Sequence, residues 1–277
     1  MRSSNVNRRV LLVSPPIADI SQTAYFLMPL GLLSIAAYLQ THAYEPQLLD
    51  ANVIIRKMNP KTDDELMELL GREIRAVRPA VLGISIMAAC HIEMALAIMK
   101  LAKNISENVV TVYGGAHASQ FAVTILENCP DIDYVVLGEG EAQSAWLAQN
   151  ADSCGSSGAM PDGIAYRVGG EVRVIPKRTF IASIDSLPIP AYDLVRLEDY
   201  ANDTTGWHNP LGLDLSARVP IMTSRGCPNR CNFCSISRSM GHRFRPMSAN
   251  RVVQMLQMLC EQHGVRVAAV HDANFTQ

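Results

Sequence analysis

What this sequence lacks narrows its class first. It lacks a strong charge of either sign. Its 277 residues carry a formal net charge of −2, which gives no electrostatic case for nucleic acid or an anionic membrane surface. It lacks an even cysteine set. Of seven cysteines, four are scattered, at Cys90, Cys129, Cys154 and Cys260. That is no secreted disulfide framework, and it points to a reducing, cytoplasmic setting. It lacks a run long enough to span a bilayer. "YFLMPLGLLSIAAYL" is too short and is interrupted by Pro29, Gly31 and Ser34. Arg8 and Arg9 precede only Val10 to Val13 before Pro15 and Pro16, too short a run for an export signal, so it reads as a buried strand. There is no internal repeat and no low-complexity tract.

What is present is a globular composition, 48 % hydrophobic and 18 % charged, with length enough for one large domain or two modest ones. From Val10 to about residue 150, short apolar runs alternate with helical patterns. Strands are expected at 10–13, 46–50, 80–86, 108–114 and 133–138. In "TDDELMELLGREIRAV" the apolar positions Leu66, Leu69, Leu70, Ile74 and Val77 share one helical face, and Thr62 with Glu65 forms a capping box. Five strand–helix repeats predict an α/β domain over 1–150, a five-stranded parallel sheet in the flavodoxin-like order 2-1-3-4-5. Ligands of such sheets sit beyond the carboxyl ends of the strands. There the sequence places Ser85, Gly114-Gly115-Ala116-His117 and Gly138-Glu139-Gly140-Glu141. Small residues at several strand ends let a bulky ligand approach the backbone, although glycines also simply make tight turns.

The texture changes over 151–215. "DSCGSSGAMPDG" is a loop by composition, and "GIAYRVGGEVRVIP" is a hairpin turning at Gly169-Gly170. The segment reads as a connector that orients two domains and carries no chemistry of its own. A further domain is expected over 216–277: a strand in "VPIMTSRG", a helix from Ser248 to Gly264 with Val252, Val253, Leu256, Leu259 and Cys260 on one face, and a second strand in "VRVAAVHDANFTQ".

Between that strand and helix lies "TSRGCPNRCNFCS", where Cys227, Cys231 and Cys234 fall within eight residues. Structural zinc takes four ligands, usually as two separated pairs, so zinc here needs a histidine such as His242. A cubane iron–sulfur cluster normally takes four thiolates. Three thiolates leave one metal with an open position, which is what catalytic metal sites keep.

"RGCPNRCNFCS" after a strand and before a helix resembles the cluster loop of the radical S-adenosylmethionine (SAM) enzymes. The resemblance implies that Cys227, Cys231 and Cys234 ligate a [4Fe-4S] cluster. SAM would chelate its unique iron and be cleaved to a 5′-deoxyadenosyl radical. Phe233 would lie near the SAM adenine. "HDANFT" makes Asp272 and Asn274 candidates at the SAM methionyl group, a capped strand end being the other reading. Upstream, "PLGLLSIAAYLQ", "LLDAN", "LGISIM", "VYGGAHAS", "VVLGEGE" and "GIAYR" follow the order of the cobalamin-dependent radical SAM subfamily. That likeness implies a Rossmann-like cobalamin domain. Ser85, Gly114 and Gly115 would line the nucleotide-tail pocket, with Gly138 and Glu139 near the corrin. "SPPIADISQ" after the first strand lacks the histidine that many cobalamin modules offer to cobalt, and His117 is a poor substitute.

The family's radical SAM domain is a partial (β/α)6 barrel. Only its first βαβ portion is present here, so a fragment, a truncated gene or half of a split protein is expected, with a second chain possible at the open sheet edge. The implied activity is reductive SAM cleavage with methyl transfer to an unactivated carbon or phosphorus of a small-molecule substrate. The alternative is cyclisation or rearrangement of a tetrapyrrole or natural product. An electron donor such as flavodoxin or ferredoxin is implied too. Outside this class, a non-catalytic cobalamin module needs no cysteine loop, and a zinc-stabilised binding domain needs no small-residue strand ends.

Overall fold

The computed structural model describes residues 7–16, 28–87, 92–151, 160–200 and 218–277. The loop expected to carry or lack a cobalt-binding histidine lies at 17–22, outside the described residues, as do Cys90 and Cys154.

Five parallel strands form where the apolar runs predict them: β1 (Arg9–Ser14), β2 (Glu45–Asp50), β3 (Val81–Ser85), β4 (Val110–Gly114) and β5 (Tyr134–Val136). Their order is 2-1-3-4-5. The helices between them are α1 (Leu30–Thr41), α2 (Ala51–Met58), α3 (Asp63–Val77), α4 (Ile92–Ile105), α5 (Ala118–Asn128) and α6 (Glu141–Gln149). Side chains alternate across the sheet, as a strand's two-residue period requires. Leu11 and Val13 of β1 pack with Leu66, Leu70, Ile74 and Ile98 on one face. Val10 and Leu12 pack with Leu32, Ala36, Leu39 and Leu147 on the other. Thr62 caps α3, its hydroxyl accepting from Glu65 N at 3.2 Å.

The sheet has seven strands, two more than expected. The hairpin β6 (Ile164–Val168) and β7 (Glu171–Ile175) continues it, β6 running antiparallel to β5. Arg167 accounts for the docking. Its guanidinium donates to Leu126 O at 2.6 Å and Pro130 O at 2.9 Å, which satisfies carbonyls at and just beyond the end of α5. Gly169 and Gly170 both have positive φ, 59° and 86°, as a two-residue hairpin turn of the primed type demands.

The last segment begins with β8 (Arg218–Ile221), which pairs in parallel with β11 (Val267–Val270). The intervening helix is α8 (Ala249–His263), capped by Ser248 and closed by Gly264 as expected. Its buried residues are Met255 and Leu259, whereas Val253 is 51 % exposed and Cys260 is exposed. The buried face is therefore turned from the predicted one toward Met255. Met255 and Leu259 join Val219, Ile221, Leu33, Tyr192 and Tyr200 in a third core that binds the two parts of the chain together. The connector supplies both tyrosines. Tyr192 donates to Pro220 O of β8, and Tyr200 to Asp50 Oδ2 at the end of β2, each at 2.8 Å. Among the described residues no helix is long and apolar enough to cross a membrane.

Candidate cluster and cofactor site

The cysteine loop is an excursion with a closed neck. Two short strands, β9 (Ser224–Arg225) and β10 (Arg245–Pro246), pair antiparallel and bring its ends together. Gly226 follows at φ +80°, and a Cβ there would stand 2.1 Å from Arg243 O. Only glycine permits this approach. Cys227 N donates to Gly241 O at 3.2 Å, and Cys234 N to Cys231 O at 3.1 Å in a local turn. The short helix α7 (Ile236–Met240) then leads back to the neck.

The three thiols are free, Cys231 exposed and Cys227 and Cys234 partly buried. Among the described residues no three His, Cys, Asp or Glu side chains converge on one ion position, so neither the cysteines nor His242 form a preassembled single-ion cage. The donor set fits an iron–sulfur cluster. Each thiolate of a cubane binds a different iron, so its ligands need not meet at one point. Phe233 is 93 % exposed on this loop.

Asp272 is a structural tie. Its carboxylate accepts from Thr223 N (2.7 Å), Thr223 Oγ1 (2.6 Å), Ser224 N (3.1 Å) and Ser224 Oγ (2.8 Å). It thereby fastens the end of β11 to the strand pair that opens the loop. Asn274 donates to Gln277 Oε1 at 2.8 Å.

At the strand ends the expected pocket residues divide. Gly114 leaves room, since a Cβ there would meet only Ile84 O, at 3.7 Å. Ser85, beside it in register, is half-buried. Gly115, by contrast, makes way for the protein itself. At φ +99° its Cβ would fall 2.3 Å from Ile86 O. His117 is buried, with Nδ1 3.2 Å from Tyr113 OH and its ring stacked on Phe121 at 4.7 Å. Burial pushes its pKa down. Gly138, at φ +71°, faces Ser239 O of α7, 3.0 Å from where a Cβ would stand.

The Gly138–Glu141 turn is where the two parts of the chain meet electrostatically. Glu139 Oε2 accepts from Arg245 Nη1 at 3.0 Å and from Ile181 N at 2.9 Å. Glu139 Oε1 lies 2.8 Å from Arg245 Nη2 and 3.5 Å from Arg225 Nη1, in ion contact without hydrogen-bond alignment. Glu141 Oε1 accepts from Arg225 Nη2 at 2.6 Å and Ser34 Oγ at 2.9 Å. Both glutamates are buried. Burial pushes the Glu141 pKa up, but the Arg225 guanidinium and its hydrogen bonds outweigh that and hold it below the usual carboxylate range. Glu139, expected near the corrin, thus has its carboxylate engaged across the interface.

Arg225, Arg245 and Ser34 escape a motif reading, and Glu141 is placed by the sequence only at a strand end. A signal was available. Thr223 to Met247 contains five arginines and no Asp or Glu, and buried guanidiniums must find carboxylates elsewhere.

Known proteins resemble this architecture. The B12 binding domain family model matches residues 18–147. An uncharacterized methyltransferase of Pyrococcus horikoshii is 32% identical over 270 residues, 97% of this chain and 54% of that protein. The anaerobic magnesium-protoporphyrin IX monomethyl ester cyclase of Synechocystis is 29% identical over 272 residues, 97% of this chain and 50% of its own. Among solved structures, the radical S-adenosylmethionine methyltransferase TsrM of Kitasatospora setae, with cobalamin and a [4Fe-4S] cluster bound, superposes with a TM-score of 0.70 at 19% identity. It covers 97% of this chain and 49% of that one. The stretch from α1 to α6, with β2 to β5 between them, carries the match to the B12 binding domain family. Over nearly its whole length the chain is similar to these proteins, and it spans about half the length of the curated relatives it matches.

Proposed function

We propose that this chain forms the cobalamin-binding domain and the cluster-bearing start of a radical SAM methyltransferase. The observation that carries the reading is the docking of the Cx3CxxC loop. Its neck is fastened by Arg225 and Arg245 to the turn that ends β5 of the B12-binding sheet. The two elements that would bear the cofactors are thereby held to one another.

Bound together, the cluster, SAM and cobalamin would supply radical formation and methyl transfer, chemistry that no side chain of this protein offers. The chain's own residues bind and orient. Cys227, Cys231 and Cys234 would hold the cluster, and Gly226 and Asp272 fix the loop that presents them. Phe233 offers an apolar ring beside the cysteines for the adenine. Gly114 and Ser85 open the strand ends to the nucleotide tail. Asp272 is committed to Thr223 and Ser224, so it acts on SAM through the loop it holds.

Methyl transfer to carbon or phosphorus is favoured over ring formation by the Pyrococcus horikoshii relative, named as a methyltransferase. The cyclase relative keeps tetrapyrrole ring formation as a specific second reading. The test is anaerobic reconstitution with iron, sulfide and cobalamin, followed by elemental analysis of wild type and a Cys227→Ala, Cys231→Ala, Cys234→Ala variant. About four iron per chain and one equivalent of cobalt are expected, with only the iron lost in the variant. Zinc at stoichiometric level, without iron or cobalt, would replace this reading with a structural zinc domain.

A further inference from the structure

The register of β9 and β10 sets Arg225 directly opposite Arg245. Like charges facing each other on an antiparallel pair oppose its formation. Here they also close the neck of the cysteine loop. Arg245 is buried and Arg225 partly so, their side chains 4% and 12% exposed, so water does little to screen them. The counter-charge comes from the other domain. Glu139 lies against both guanidiniums, and Glu141 takes the second arm of Arg225.

The same turn is tied to the B12-binding strand ends. Ser119 Oγ donates to Gly115 O at 3.1 Å and accepts from Gly138 N at 2.9 Å. A continuous path of bonded groups therefore runs from the turn after β4, through Ser119, Gly138 and Glu139, to the arginines that flank the loop.

We propose that Glu139 and Glu141 are positioning residues that neutralise the facing arginines, hold the loop neck closed and couple the loop to the B12-binding strand ends. The coupling to cobalamin rests on the proposed function; the clamp itself does not. Coupling of this kind is reciprocal. Cobalamin tightens the loop, and an occupied loop tightens cobalamin by the same factor.

The test is hydrogen exchange on the iron-free full chain. In Glu139→Gln, residues 224–246 should exchange about tenfold faster, while α8 and β1–β4 keep their protection. Arg245→Lys, which keeps the charge but loses the two-armed reach, should free the same segment, and it carries the comparison if Glu139→Gln does not fold. Unchanged loop exchange, or faster exchange spread evenly over the chain, would overturn the clamp. Adding hydroxocobalamin should slow exchange of 224–246 in wild type and leave that segment unaffected in Glu139→Gln. Equal slowing in both would overturn the coupling. If absorbance shows that wild type binds no cobalamin, the cobalamin reading and the coupling built on it both fail, while the clamp is still judged on the iron-free chain alone.

Discussion

Tyr200 donates its hydroxyl to Asp50 Oδ2 at 2.8 Å, linking residues 150 positions apart in the chain. Both groups are buried. Asp50 also accepts from Asn52 N and caps α2, and Asn52 Nδ2 reaches Pro15 O at 3.1 Å. The connector is thus bonded at Tyr200 to the carboxyl ends of β1 and β2. Tyr200→Phe keeps the ring in the third core but strips Asp50 of one donor. We expect a loss of about 1–3 kcal/mol in urea unfolding, because a buried acceptor is left short of a partner.

Acidification should loosen the interface through Glu141. Its folded pKa lies below the ordinary value, because Arg225 and Ser34 outweigh burial. A depressed carboxylate contributes stability above its unfolded pKa of about 4.3 and loses it as pH falls through the folded value. Asp162 is depressed too; burial opposes this, but bonds from Arg178 N and Thr179 outweigh it, so wild type alone does not isolate one group. Glu141→Gln should flatten the slope of stability against pH below the usual carboxylate range, relative to wild type. Identical slopes would show that the Arg225 contact adds no pH dependence.

The five parallel strands and their order were legible because each is a short apolar run set between helical patterns, and the α8 caps because Ser248 and Gly264 are local signals. The placement of the hairpin was not legible, since it depends on Arg167 meeting carbonyls 35 and more residues away. The cysteine loop was plain in the sequence. The partners of Glu139 were not. Gly138-Glu139-Gly140-Glu141 looks like a ligand turn at a strand end, and its arginines lie 84 and 106 positions downstream. Gly115 illustrates the same limit, because sequence shows that a Cβ is missing but not that Ile86 O takes its place.

Two glycines with similar φ should respond differently to alanine. Gly264 has φ +64° with nothing within 4 Å of a Cβ, whereas Gly226 has φ +80° with Arg243 O at 2.1 Å. Gly264→Ala should cost about 1 kcal/mol, the strain of a left-handed alanine. Gly226→Ala must also push the loop apart at its neck. It should lose most of the iron retained after anaerobic reconstitution, while Gly264→Ala retains it. Equal iron in both variants would mean that the neck geometry does not govern the loop.

Asp272 separates a structural role from a cofactor contact. Four donors from Thr223 and Ser224 converge on its carboxylate, two backbone amides and two hydroxyls. A group so fully engaged stabilises the fold without any ligand. Hydrogen bonds to a charged acceptor each contribute about 1.5–3 kcal/mol, and the four share one carboxylate, so they do not add. Asp272→Ala should therefore destabilise the iron-free chain by about 2–4 kcal/mol in urea unfolding, with the two stranded backbone amides as the main cost. Asp272→Asn should fall between wild type and alanine, because its carbonyl oxygen still accepts from the amides while its NH2 faces hydroxyls that can rotate to accept. A carboxylate kept for SAM alone would leave all three iron-free proteins equally stable and change only SAM affinity. Unfolding of the iron-free proteins, with no SAM present, decides between the two roles.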